Sequence, residues 1–240
     1  MSVILHDVPH VRQRESWDCG LACTWMALRA LQGLENMEAA QTFQQTCDQQ
    51  GFGKSVWTID LAHLLAQYGV LHQFFTETLG VDPSYADQPY YKTEFESATC
   101  RINSLFGKAE DLGINIGKRF VTLQQLYDHI NDNGIAIVLV DSNIINRKRR
   151  WHSSAVRFLK FSCFCCFHGT DENQLLSYAG HYIVVCGYDK ETNQILYKDP
   201  AQIEDLSVVT ASTFEAARKA HGTDCDIILL KLRKDGNTSQ

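Results

Sequence analysis

No stretch of this sequence is apolar for long enough to cross a bilayer. The longest apolar runs, "IAIVLV" (135–140) and "YIVVCGY" (182–188), are a third of a membrane span. The N-terminus, "MSVILHDVPHVRQ", lacks the basic start and long apolar core of a signal peptide. Together these absences point to the cytosol or nucleus and to no membrane partner. There is no excess of basic charge either. The formal net charge is −6, which argues against sequence-blind nucleic-acid binding, a task that needs a basic face. Only four prolines occur, at 9, 83, 89 and 200, with no repeat or low-complexity tract. With no linker in sight, the 240 residues read as a single domain, long enough to bury a good core.

Cysteine, by contrast, is plentiful. Nine are present, at 19, 23, 47, 100, 163, 165, 166, 186 and 225. An odd number in a reducing compartment excludes a disulfide framework, and most read as small buried hydrophobes.

The hydrophobic pattern places helices early and most strands late, which is the signature of an α+β fold. Residues 3–8 read as a short extended segment. "GLACTWMALRALQ" (20–32) reads as a helix with an apolar stripe of Leu21, Trp25, Leu28 and Leu31, stopped by Gly33. Thr58 is positioned to cap a helix over 59–68, and Thr122 one over 123–132. A strand is expected at 70–76, an irregular polar stretch at 81–100, and a buried strand at 135–140. Residues 142–180 read as a loop insertion. "HYIVVCGYD" (181–189) and "ILYKD" (195–199) read as a hairpin joined by "KETNQ". Ser212 with Glu215 suggests a capping box for a helix over 213–220, and 225–232 a last strand.

Against this layout one stretch stands out: "QRESWDCGLAC", Gln13 to Cys23. Cys19 falls where a helix begins. Unpaired N–H groups and the positive end of the helix dipole favour a thiolate there, and thiolate is the nucleophile. Gly20 is expected to keep the approach to the sulfur open. Cys23 lies one turn on and packs beneath. A thiolate needs a base, and the base needs an orienting group. His181 opens the buried strand and Asp199 closes its partner, so an antiparallel hairpin brings the two together. Gln13 supplies an amide donor upstream, where an oxyanion would develop.

Gln13-x5-Cys19-Gly20, the Gly180-His181-Tyr182 strand and Asp199-Pro200 resemble the papain-like thiol peptidases, closest to the bacteriocin-processing, double-glycine-cleaving branch. That resemblance implies a papain-like fold, with N-terminal helices packed on a mostly antiparallel sheet, and a peptide or protein substrate. It also implies a nucleophile at Cys19, a base at His181, an orienting carboxylate at Asp199 and an oxyanion donor at Gln13. A second resemblance covers nearly the whole chain. "WDCGLAC", "SVWTIDLAHLL", "GHYIVVCGYD", "DPA" and "GTDCDI" are similar to the guanylyl-cyclase-domain-containing proteins, described in plants as soluble guanylyl cyclases. That likeness implies GTP turned into cyclic GMP, with Mg2+.

The residues themselves speak for the first reading. "GFGKS" (51–55) would need a glycine at Asp48 to complete a phosphate loop. Asp60, Asp141 and Asp189 are scattered carboxylates without a pairing. Cys163, Cys165, Cys166 and His168 are too compressed for usual zinc spacing. Arg147, Lys148, Arg149 and Arg150 read as a solvated loop, with a localisation signal or phosphate contact as the alternative. The expectation is therefore a thiol hydrolase or peptidase that needs no cofactor. A guanylyl cyclase is the alternative, and an inactive binding module is the third.

Overall fold

The apolar runs find one another in a single sheet. A computed structural model describes residues 3–50, 56–82, 95–146 and 178–233. Its strands are β1 (Val3–Leu5), β2 (His72–Thr76), β3 (Asn115–Lys118), β4 (Gly134–Asp141), β5 (Gly180–Asp189), β6 (Gln194–Lys198), β7 (Ser207–Thr210) and β8 (Ile227–Lys231). Its helices are α1 (Cys19–Gln32), α2 (Met37–Gln50), α3 (Thr58–Gln67), α4 (Phe95–Lys108), α5 (Leu123–Asn131), α6 (Ser142–Ile145) and α7 (Ala211–Arg218). The sheet order is β3-β2-β8-β4-β5-β6-β7, and β1 pairs with the far half of β5. Every pairing is antiparallel except β2 with β3. No helix among the described residues is long and apolar enough to cross a membrane.

"IAIVLV" is the centre of this sheet, and every residue of β4 is buried. Each face carries its own core. Ile135, Ile137 and Leu139 of β4 and Tyr182 and Val184 of β5 pack under α1 and α3. Ala136, Val138 and Val140 of β4 and Ile183 and Val185 of β5 pack with Leu126, Ile130 and Phe214 of α5 and α7. A fully buried Ile or Val side chain contributes about 1.5–3 kcal/mol, so this double-sided strand anchors the molecule.

Several elements differ from expectation. α2 has only Phe43 and Cys47 buried, one turn apart, so its apolar stripe is too thin to read. Phe43 is held by stacking on Trp25, with ring centroids 4.9 Å apart. The polar stretch expected to be irregular to residue 100 turns helical at Phe95. β3 and β7 are four-residue strands with weak patterns of their own. Thr58 is the first residue of α3 rather than its cap. Asp60 accepts the Trp57 N–H at 2.9 Å, and the Thr58 hydroxyl bonds the Tyr182 hydroxyl at 2.9 Å. The cap of α7 is Thr210, whose Oγ1 accepts from Thr213 N at 3.3 Å, while Glu215 pairs with Arg218 and Lys219. α5 begins as expected, with Thr122 and Gln125 capping reciprocally at 3.2 and 2.9 Å. Within the stretch 142–180, α6 and the start of β5 are structured. The cysteine-rich segment with Cys163, Cys165, Cys166 and His168, the run Arg147–Arg150, and "GFGKS" lie outside the described residues.

Candidate active site

Cys19 is the first residue of α1 and is 6% exposed. Asp18 precedes it as the helix N-cap but makes no side-chain cap bond. Its carboxylate turns back instead, accepting Arg14 N at 3.2 Å and Glu15 N at 3.1 Å. Burial pushes the Asp18 carboxyl up, against the pull of those backbone donors. The first helical bond runs from Ala22 N to Asp18 O, so the N–H groups of Cys19, Gly20 and Leu21 precede the helical ladder.

His181, 3% exposed, donates from Nε2 to Asp199 Oδ1 at 2.7 Å; Asp199 is fully buried. Cys19 lies beside the same ring and helps to raise its pKa. With Nε2 engaged, the nitrogen facing Cys19 is Nδ1. Burial alone would lower the His181 pKa, but the charge and hydrogen bond of Asp199, with Cys19 beside it, hold it well above the ordinary histidine value. The chain thus gathers Cys19, His181 and Asp199 in one place, with His181 bonded to Asp199 and Cys19 beside the ring.

The turn after β6 fixes the carboxylate. Asp199 Oδ1 also accepts Ala201 N at 2.9 Å. His10 Nε2 donates to the Asp199 carbonyl at 2.9 Å, and Gln13 N to the Pro200 carbonyl at 3.0 Å. These two bonds strap the N-terminal loop to the Asp199 turn. A lone histidine in a loop gave no sequence signal of that role.

Gln13 therefore lies beside the site, but its amide is not simply offered to it. Nε2 donates to the Glu15 carbonyl at 2.7 Å, and Oε1 is buried without a hydrogen-bond partner. One of the two Nε2 hydrogens remains uncommitted. Gly20 has a packing role that the sequence did not signal. A Cβ there would lie 3.0 Å from Tyr182 Cδ2 and 3.1 Å from Leu61 Cδ1, so the glycine lets β5 and α3 close on α1. Cys23 is fully buried, as its place under the site predicts. Burial first, then Cys19 and Asp199, push its thiol well above the usual range.

The scattered carboxylates have structural employment. Asp60 caps α3 and forms a fork pair with Arg101. Asp141 Oδ1 caps α6 through Asn143 N at 2.8 Å. Asp189 Oδ1 closes the hairpin turn through Glu191 N at 2.9 Å. Asp141 pairs with Gly180 at one end of β5 and Asp189 sits at the other end, so strand rise alone separates them by about 30 Å. Among the described residues no group of three or more His, Cys, Asp or Glu side chains could hold a metal ion.

A chain from Bacillus anthracis described as a C39-like peptidase superposes with a TM-score of 0.53. The match covers 98% of this chain and 100% of that one at 13% identity, and the likeness establishes a papain-like fold. Guanylyl cyclase 1 of Arabidopsis thaliana is 34% identical over 232 residues, 96% of this chain and 78% of that protein. The profile of the family described as guanylylate cyclase matches residues 8–230, and with that relative it shows that the chain belongs to this family.

Proposed function

We propose that this protein is a thiol hydrolase of the peptidase type, acting on a peptide or protein substrate. The observation that carries the reading is the gathering of Cys19, His181 and Asp199 at the head of α1, with His181 bonded to Asp199 at 2.7 Å and Cys19 beside the ring. His181 Nδ1 takes the thiol proton, and Cys19 Sγ adds to the substrate carbonyl carbon. The oxyanion is met by the Cys19 backbone N–H, with the second Nε2 hydrogen of Gln13 as an additional donor. His181 then returns the proton to the leaving amine, and water cleaves the thioester in a second half-reaction. Asp199 holds Nε2–H and so keeps the ring in one tautomer.

The second reading is a guanylyl cyclase, favoured by the family's description and by the name of the Arabidopsis relative. It requires carboxylates gathered for Mg2+, and Asp60, Asp141 and Asp189 are each committed elsewhere.

One preparation tests both. The native chain and Cys19→Ala are assayed with a thiol-directed acylating probe, with a panel of fluorogenic peptides, and for magnesium-dependent cyclic GMP formation. Probe reaction and peptide turnover lost in Cys19→Ala, with no cyclic GMP from either, supports the hydrolase. Probe reaction without turnover of any peptide points to a binding module. Cyclic GMP formation that survives Cys19→Ala and is lost on replacing a pair of acidic residues overturns the reading.

A further inference from the structure

The pairing of β5 with β6 stops short of the orienting carboxylate. Its last pair sets Val184 against Lys198, and Asp199 opens the turn beyond the ladder. The backbone of Asp199 is therefore held by other partners, as a fully buried carbonyl must be. Gln202 N donates to that carbonyl at 3.0 Å and closes the turn. His10 Nε2 donates to it at 2.9 Å from the other end of the chain. A carbonyl oxygen only accepts, so Nε2 of His10 carries a hydrogen.

The loop that carries His10 is anchored independently of that bond. His6 donates from N to the Cys186 carbonyl and from Nε2 to the Ile130 carbonyl, each at 2.8 Å. Val8 is 1% exposed in the core that α1 and α3 share, and Val11 packs against the same core. His10, itself half-buried, lies between these two anchors. Three residues on, Gln13 N donates to the Pro200 carbonyl at 3.0 Å, and the chain then runs to Cys19.

The carboxylate of the same residue faces the base. Asp199 Oδ1 accepts His181 Nε2 at 2.7 Å and Ala201 N at 2.9 Å. Carbonyl and carboxylate share one short side chain, so a shift of the turn at the carbonyl carries Oδ1 with it. The strap has one side-chain bond, that of His10; the bond of Gln13 N is main chain and survives substitution of its side chain.

We propose that His10 is a positioning residue of the site: holding the Asp199 carbonyl from the N-terminal loop, it sets the carboxylate against His181 and ties that pair to the segment that brings Gln13 and Cys19. It acts through Asp199 and not on the substrate. The proposal rests on the hydrolase reading above, and its test separates the two. His10→Gln keeps a donor near the place of Nε2, and His10→Met keeps the length and loses the donor. Both are compared, in the full chain, with the native protein and with Asp199→Asn. The His181 pKa is measured by NMR and the Cys19 rate by acylating probe as a function of pH. His10→Met should lower the His181 pKa, bring the alkaline limb of the rate profile down with it, and slow the probe about 10-fold or more, because a misplacement of about 1 Å costs up to about 10²-fold. His10→Gln should restore both readouts. A folded His10→Met with native His181 pKa and probe rate overturns the proposal, whatever its melting temperature. So does a folded His10→Gln as impaired as His10→Met. Where His10→Met does not fold, ring-nitrogen NMR of the native chain decides: the His10 ring should carry a proton on Nε2, and a ring protonated at Nδ1 alone overturns the proposal. If Asp199→Asn changes neither readout, the triad itself fails, and the positioning role with it.

Discussion

α1 and α3 pack against each other on one face of the sheet, and each follows a tryptophan with an aspartate close by, yet they begin in opposite ways. At α3 the aspartate serves the helix. Asp60 accepts the Trp57 N–H and is gripped by Arg101. At α1 the aspartate serves the loop. Asp18 turns to Arg14 N and Glu15 N, and no side chain caps the helix. A good N-cap contributes about 1 kcal/mol, so α1 forgoes that much stability. In return its first N–H groups, including that of Cys19, stay available at the point where an oxyanion would form. One helix start is finished for stability, and its neighbour is left open for chemistry.

The sharpest way to break this comparison is to truncate at each start. Cys19→Ala should lower peptide turnover about 10⁴-fold or more while leaving the melting temperature nearly unchanged. Asp60→Ala should do the reverse. It removes the acceptor of the Trp57 N–H and leaves Arg101, itself 44% exposed, without its partner, at a cost of about 1–3 kcal/mol with the probe rate of Cys19 retained. Thermal melts beside single-turnover acylation separate the two effects.

The next effect is on pH. Asp199 raises the His181 pKa, and the reactive state needs the imidazolium beside the thiolate. Asp199→Asn should therefore bring the alkaline limb of the rate profile down toward neutral and reduce the rate about 10²–10⁴-fold. The same pair adds stability that is fully present below the ordinary histidine pKa and lost as pH rises through the raised one. Melting temperature against pH in the native chain and in Asp199→Asn checks that sign.

A third prediction concerns a carboxyl that the proposed chemistry does not use. Asp226, at the head of β8, lies beside Thr58 and Thr76, and its Oδ1 is buried without a partner. Burial outweighs the opposing pull of those two threonines and pushes its pKa from 3.8 to about 8. Below the lower value folded and unfolded chains both hold the proton. Between the two values only the folded chain does, so folding loses stability across that window. Asp226→Asn should raise stability at pH 8, on the order of 2–4 kcal/mol, and leave it unchanged near pH 3.5. Equal melting temperatures at both pH values would contradict the burial argument.

The smallest effect tests the seam between α1 and its neighbours. Gly20→Ala adds a Cβ 3.0 Å from Tyr182, and the strain should cost about 1–3 kcal/mol. Any loss of probe rate should be modest, since the atoms nearest that Cβ belong to Tyr182 and Leu61.

The parts of this fold legible in the sequence are those where one physical signal dominates. "IAIVLV" could only be a strand buried on both faces, and Thr122 with Gln125 announced the start of α5. The head of α1 was legible too, because a Cys-Gly pair before an apolar stripe marks a helix boundary. α2 was not, since its place depends on Phe43 finding Trp25 in three dimensions. Thr58 misled because a threonine at a helix start is an ordinary cap, and here Tyr182 claims its hydroxyl. The placement of Asp199 beside His181 was anticipated through hairpin geometry, and the two side chains meet at 2.7 Å. A glycine inside a strand is the local sign of a bulge, and Gly187 carried it. The straps from His10 and Gln13 N to the Asp199 turn link residues almost two hundred positions apart and left no local trace.

The central claim, that the uncapped start of α1 makes Cys19 the nucleophile, is tested most directly by a brief pulse of iodoacetamide at pH 6. The modified chain is digested and all nine cysteines are mapped by mass spectrometry. At that pH an ordinary thiol is almost wholly protonated and slow, even when it is as exposed as Cys100. The account predicts that Cys19 is alkylated first, that His181→Ala slows it to the rate of Cys100, and that Cys23 stays unmodified. Alkylation of Cys100 or Cys23 ahead of a silent Cys19 would contradict it.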